Sequence, residues 1–91
     1  PNEVELEALR LLANPARIQM LRLMRDEPMS GHELAQALDL NSGTVSRDLN
    51  SLNNARLLLV GSSTGARFKY RTNLAAIRQI LERCSDYLLK D

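Results

Sequence analysis

Between Asn41 and Asn50 the chain runs NSGTVSRDLN, and Ser42, Gly43, Thr44, Ser46, Arg47 and Asn50 in it are small, polar or cationic. Hydroxyls and amides of this kind exchange hydrogen bonds with phosphate oxygens or base edges, and an arginine fork matches the paired acceptors of guanine. The same residue types are middling to poor helix formers, Gly costing about 1 kcal/mol against Ala in a helix interior. Yet Val45, Leu49 and Leu52 stand at i, i+4 and i+7, a single apolar stripe of a helix. With Val45 at zero on a wheel of about 100° per residue, Gly43, Arg47, Asn50 and Asn54 fall opposite the stripe and Ser46 on its flank. The pattern implies a helix that packs through its stripe and offers a small polar face to a nucleic-acid groove. Arg47 is the residue expected to read a base. Ser42, Gly43 and Ser46 would approach the groove closely, Asn50 shares their face, and Thr44 would touch phosphate. The alternative is a solvated face on a cap-rich helix. Asp48 lies about 60° from the stripe and is expected to turn inward to a neighbouring arginine.

Other chemistry is scarce. Cys84 and His32 are each alone of their kind, so no intrachain disulfide and no set of four Cys/His zinc ligands can form. There is no paired-carboxylate or Ser/His/Asp set that a fold of this kind would bring together, and no Gly-rich phosphate loop. An enzyme, a metal site and a cofactor are therefore not expected. His32 fits an exposed polar residue close to phosphate.

The elements that would position the polar face can be traced from caps and periodicity. Val4, Leu6, Leu9, Leu12 and Ala13 outline a first helix over about 3–13, with acids in its first turn. Asn14-Pro15 stops it and starts a second, to about Arg25, with Ile18, Leu21 and Met24 at helical spacing. Ser30 and Glu33 form a capping box for a third helix buried through Leu34 and Leu38. Asp39-Leu40-Asn41 is a turn, and Asn41 caps the helix described above. The third and fourth helices, about 30–55, thus make a helix-turn-helix.

After Ala55 the period changes. Leu57 to Val60 is an apolar run, Gly61 to Gly65 a turn, and Arg67, Lys69 and Arg71 alternate with Phe68 and Tyr70. This predicts a hairpin over about 57–71 with one basic and one aromatic face. Arg67, Lys69 and the turn residues Ser62, Ser63 and Thr64 are candidates for the flanking backbone or minor groove, while Arg71, near the base, is assigned a structural role. Thr72-Asn73 caps a last helix over about 73–89. There Leu74, Ile77, Leu81, Cys84 and Leu88 step by three and four, a coiled-coil-like seam. Leaving that seam in water would be costly at about 1.5–3 kcal/mol per buried large side chain, so a homodimer is expected, although the first helix of the same chain could cover part of it. Cys84 on the seam is expected to be a small buried hydrophobe; the sharper alternative is a redox switch across the dimer.

Charge supports a polyanion-facing surface. The net charge is +1, yet residues 42–71 hold Arg47, Arg56, Arg67, Lys69 and Arg71 against Asp48 alone, while residues 1–41 carry four bases and seven acids. No apolar run approaches the roughly 20 residues that cross a bilayer, and the start PNEVELEALR is acidic where a signal peptide is basic. A cytoplasmic protein of one domain, residues 1–91, mainly α with a small β-hairpin, is expected.

The blocks LLANPARIQMLRLM (11–24), SGHELAQALDLNSGTVSRDLNSLNNARLL (30–58) and TGARFKYRTN (64–73) together resemble the ArsR/SmtB family of winged helix-turn-helix repressors over almost the whole chain. The resemblance implies the order α-α-α-α-β-β-α and a sequence-specific transcriptional regulator. It further implies a homodimer built from the first and last helices, which adds Leu6 and Leu9 to the interface. Two recognition helices would then enter successive major grooves of a palindromic operator. Groove contacts fall on Ser42, Gly43, Ser46 and Arg47, as on the wheel. There are departures: the family usually has glutamine then serine at Ser42-Gly43, and commonly a glycine at Arg56. Its metal ligands have no counterpart in HELAQALD of the third helix or in the last helix, so a repressor without the usual metal-sensing sites is implied. The rival reading is a winged helix used as a protein-interaction module, or the DNA-binding domain of a longer regulator.

Overall fold

Side-chain caps divide the chain into its helices. The structure is a computed structural model describing residues 1–62 and 68–91. Helix α1 (Glu3–Leu12) begins at Asn2, whose side chain accepts from the Glu5 N–H at 2.8 Å while Glu5 Oε1 accepts from the Asn2 N–H at 3.0 Å. Helix α2 (Pro15–Asp26) starts after Asn14, which accepts from the Arg17 N–H at 3.1 Å. The Ser30–Glu33 capping box opens α3 (Gly31–Leu38) as its spacing predicts. Asp39 leaves that helix in the left-handed conformation, φ 53°, and Asn41 then accepts from the Gly43 and Thr44 N–H groups to start α4 (Ser42–Asn54). Strands β1 (Leu58–Ser62) and β2 (Lys69–Thr72) pair antiparallel, and Asn73 caps α5 (Leu74–Leu89). This is the expected mainly helical winged helix-turn-helix.

The hairpin departs from its expected limits. Gly61 and Ser62 belong to β1, with Ser62 opposite Lys69, because a bulge between Val60 and Ser62 lets pairing resume beyond the irregularity. Gly61 suits that bulge because a Cβ there would lie 2.8 Å from Pro28 Cβ and 2.6 Å from Arg71 Cγ. Phe68 precedes β2 and is exposed, whereas Tyr70 is half-buried. Met29 adds a rung: its N–H donates to Tyr70 O at 3.0 Å and its carbonyl accepts from the Tyr70 N–H at 2.9 Å. A one-residue bridge has no periodicity for a sequence to display. The candidates Ser63, Thr64 and Arg67 lie outside the described residues.

The core gathers Met20, Met24, Leu34, Val45, Leu52 and Leu57, all fully buried, with Ala8, Leu11, Leu21, Met29, Leu49, Leu58 and Ile80 around them. Helix α1 buries a face other than the one its apolar residues suggest, and α2 differs at one position. Helix α1 packs inward through Glu5, Ala8 and Leu11, leaving Val4 67% and Leu6 53% exposed and Leu9 and Leu12 half-buried. Small Ala8 permits close approach, and Glu5 tolerates burial because its carboxylate accepts the Asn2 N–H and meets Arg83 Nε at 2.6 Å. In α2, Leu21 and Met24 are buried as their spacing predicts, Met20 joins them one turn before Met24, and Ile18 is half exposed. Thr72 is buried with its hydroxyl donating to Leu21 O at 2.6 Å, which pins β2 to α2.

Candidate nucleic-acid interface

Helix α3 braces α4 from behind. Gly31 sits so close that a Cβ there would lie 3.2 Å from Leu49 Cδ1, and the stripe of Val45, Leu49 and Leu52 is buried as its spacing predicts. Ser42, Gly43, Thr44, Ser46, Arg47 and Asn50 are all exposed on the remainder of α4. Arg47 makes no ion pair with any described residue. Asp48 turns inward, as expected, with Oδ1 3.3 Å from Arg17 Nη1 and both side chains 17% exposed. Among the described residues, the outward face of α4 therefore carries one cation without an ion-pair partner and no free acid. Such a face attracts phosphate and admits close backbone approach.

The wing is tied to α3 by an ion pair. Lys69 Nζ lies 3.3 Å from Glu33 Oε1, so the capping carboxylate of α3 also holds the hairpin. The Ser30 backbone N–H, and then Lys69, hold the Glu33 carboxyl below the usual glutamate range. Arg71 is exposed, its Cγ lying over Gly61. Arg56, where the resemblance leads one to expect glycine, takes the left-handed conformation at φ 63°. The corner is stitched by Arg56 N–H to Asn53 O, Leu57 N–H to Leu52 O and Asn73 Nδ2 to Arg56 O, each 3.0 Å.

Of the residues assigned to a dimer face, Leu6, Leu74, Leu81 and Leu88 are exposed, and Leu9, Ile77 and Cys84 are half-buried. Cys84 is thus less enclosed within its own chain than a core cysteine. It shares a shallow groove with Pro1, Leu6, Tyr87 and Leu88, which brings the ends of α1 and α5 together. His32 is exposed, and among the described residues no three of His, Cys, Asp and Glu come together to hold a metal ion. Among the described residues no helix is long and apolar enough to cross a membrane. Sequence reasoning missed Arg17; the only signal was an arginine two residues after the Asn14-Pro15 corner. The Glu5–Arg83 and Glu33–Lys69 pairs join residues too distant in the chain for any local pattern.

Solved structures share this arrangement. The homodimeric winged helix-turn-helix DNA-binding domain of Mb0332 from Mycobacterium bovis superposes with a TM-score of 0.73 at 24% identity, over 97% of this chain and 83% of that one. An ArsR-like transcriptional regulator from Rhodococcus sp. RHA1 gives 0.81 at 18% identity, covering 92% and 78%. Rv0081 of Mycobacterium tuberculosis gives 0.69 at 28%, covering 94% of each. No curated protein matches the chain significantly. The model of the bacterial regulatory proteins of the arsR family matches residues 14–59, from the cap of α2 into β1. That span is half of the chain and contains the whole helix-turn-helix with its exposed polar face, and the chain belongs to the arsR family of DNA-binding transcriptional regulators.

Proposed function

We propose that the chain is a homodimeric, cytoplasmic repressor of one domain that binds a palindromic operator without using the metal sites found in other members. The observation that carries this reading is the outward face of α4, where exposed Ser42, Gly43, Thr44, Ser46 and Asn50 surround Arg47, which pairs with no described residue. Small side chains let the helix backbone enter a groove about 12 Å wide, and the arginine is the one side chain long enough to reach a guanine edge. Lys69 and Arg67 extend contact to flanking phosphates, Lys69 by exchanging its Glu33 partner for a phosphate oxygen.

Dimerisation is supported by the apolar residues that α1 and α5 leave uncovered. Val4, Leu6, Leu74, Leu81 and Leu88 are 46–70% exposed. The radius of gyration, 13.7 Å, exceeds the roughly 12 Å of a compact chain of this length. The Mycobacterium bovis neighbour is itself a homodimer. A fluorescence titration with mixed genomic DNA at several salt concentrations tests the reading. If the dimer neutralises about six phosphates, log affinity falls with log salt at a slope of about −5. Absence of salt-sensitive binding would favour a protein-interaction module instead.

A further inference from the structure

Arg17 holds three elements at once. Its backbone N–H donates to Asn14 Oδ1 at 3.1 Å and fixes the corner between α1 and α2. Its Nε donates to Leu11 O at 2.6 Å, satisfying a carbonyl in the last turn of α1 that has no partner within the helix. Its Nη1 reaches Asp48 Oδ1 on α4, 31 positions away, at 3.3 Å. We propose that Arg17 is a positioning residue for DNA recognition: through Asp48 it sets the rotation of α4 about its axis, and through Leu11 O it ties that rotation to α1. The proposal rests on α4 being the helix that enters the groove.

The physical reason lies in what the other contacts of α4 cannot do. Val45, Leu49 and Leu52 hold the helix against the core, but apolar contact is non-directional and cores absorb small repackings. A guanidinium is a rigid planar fork whose hydrogen bonds have direction. Asp48 stands on the flank of the stripe and immediately follows Arg47, so the pair acts at the position where roll of the helix is converted into displacement of the reading side chain. A roll of about 10° moves a group roughly 7 Å from the axis by about 1 Å, beyond the about 0.5 Å within which a recognition constellation must be held. With both side chains 17% exposed, the link is less screened by salt than a surface pair. The guanidinium also reaches α1, the helix whose apolar residues lie on the proposed dimer face, so the orientation of the two recognition helices is referred to the dimer frame.

Three roles for Asp48 give different signs. If it acts only as a charge near phosphate, its removal raises affinity for every duplex alike. If the pair serves stability alone, variants that remain folded discriminate between duplexes as before. If it positions α4, discrimination falls while the count of phosphate contacts stays the same.

The experiment selects a preferred duplex from random DNA with the unaltered protein. It then measures selected and scrambled duplexes against Asp48→Ala, Arg17→Gln and the double variant at several salt concentrations, with circular dichroism confirming that each is folded. Each single variant is expected to lower the selected-to-scrambled ratio about ten-fold, with the double variant no worse than either and the salt slope unchanged. Equal tightening on both duplexes, or an unchanged ratio in folded variants, overturns the proposal. An unaltered protein that prefers no duplex removes the groove-entering reading itself, and this inference with it, and is recognised before any variant is measured.

Discussion

Arg47 and Asp48 are neighbours in the chain with opposite surroundings: one helical step of about 100° separates an exposed arginine from a carboxylate tucked against Arg17. Arg47→Ala is expected to leave thermal stability unchanged, since Arg47 pairs with no described residue. It should cost about 1–3 kcal/mol of discrimination at one base position, measured by competition among single-base operator variants. Arg56 sits at φ 63°, where a side chain meets backbone strain that glycine avoids. Arg56→Gly should therefore raise stability by about 1 kcal/mol, seen as a higher urea midpoint at constant slope; a lower midpoint would mean that the arginine side chain contributes contacts outweighing the strain.

Glu33 shows how one element depends on another. Its carboxylate completes the capping box of α3 and also pairs with Lys69 of β2, so the helix-turn-helix and the wing share an acid. The folded state holds this carboxyl below the usual glutamate range, through the Ser30 N–H first and Lys69 second. A carboxylate depressed on folding contributes stability that is complete above its unfolded pKa and disappears as the pH falls through the folded value. Urea unfolding followed from neutral to acidic pH should show a loss in that window, and Glu33→Gln should flatten it. The wing is sterically tied as well. Gly61→Ala would place a methyl 2.8 Å from the Pro28 ring, and the expected result is destabilisation by about 1–3 kcal/mol in thermal unfolding.

At the scale of the whole molecule, the chain leaves a line of leucines on α5 without cover of its own. Only Ile80 of that helix is buried, and Leu81 is 51% exposed. If the proposed homodimer forms through this face, Leu81→Asp should leave the fold of each chain intact and shift sedimentation from dimer to monomer. Because two linked half-sites bind more tightly than one, operator affinity should fall on the order of a hundred-fold. Dimeric sedimentation of the variant at micromolar concentration would place the interface elsewhere.

The caps, the stripe of α4 and the small polar face opposite it were determined by sequence alone, because in each the successive residues stand no more than four positions apart. Asn14, Ser30, Asn41 and Asn73 open four of the helices among the described residues by side-chain acceptance over two or three residues, and Asn2, which the sequence reading did not name, opens α1 in the same way. The choice of buried face was not local. Helix α1 has more apolar side chains than its own chain can cover, and only docking against α2, α4 and α5 decides that Ala8 and Leu11 go inward while Val4 and Leu6 do not. The same holds for the Arg17–Asp48, Glu5–Arg83 and Glu33–Lys69 pairs. Periodicity can show that a charged residue lies near a core stripe, but the partner that makes its half-burial tolerable comes from an element that only the tertiary fold brings near.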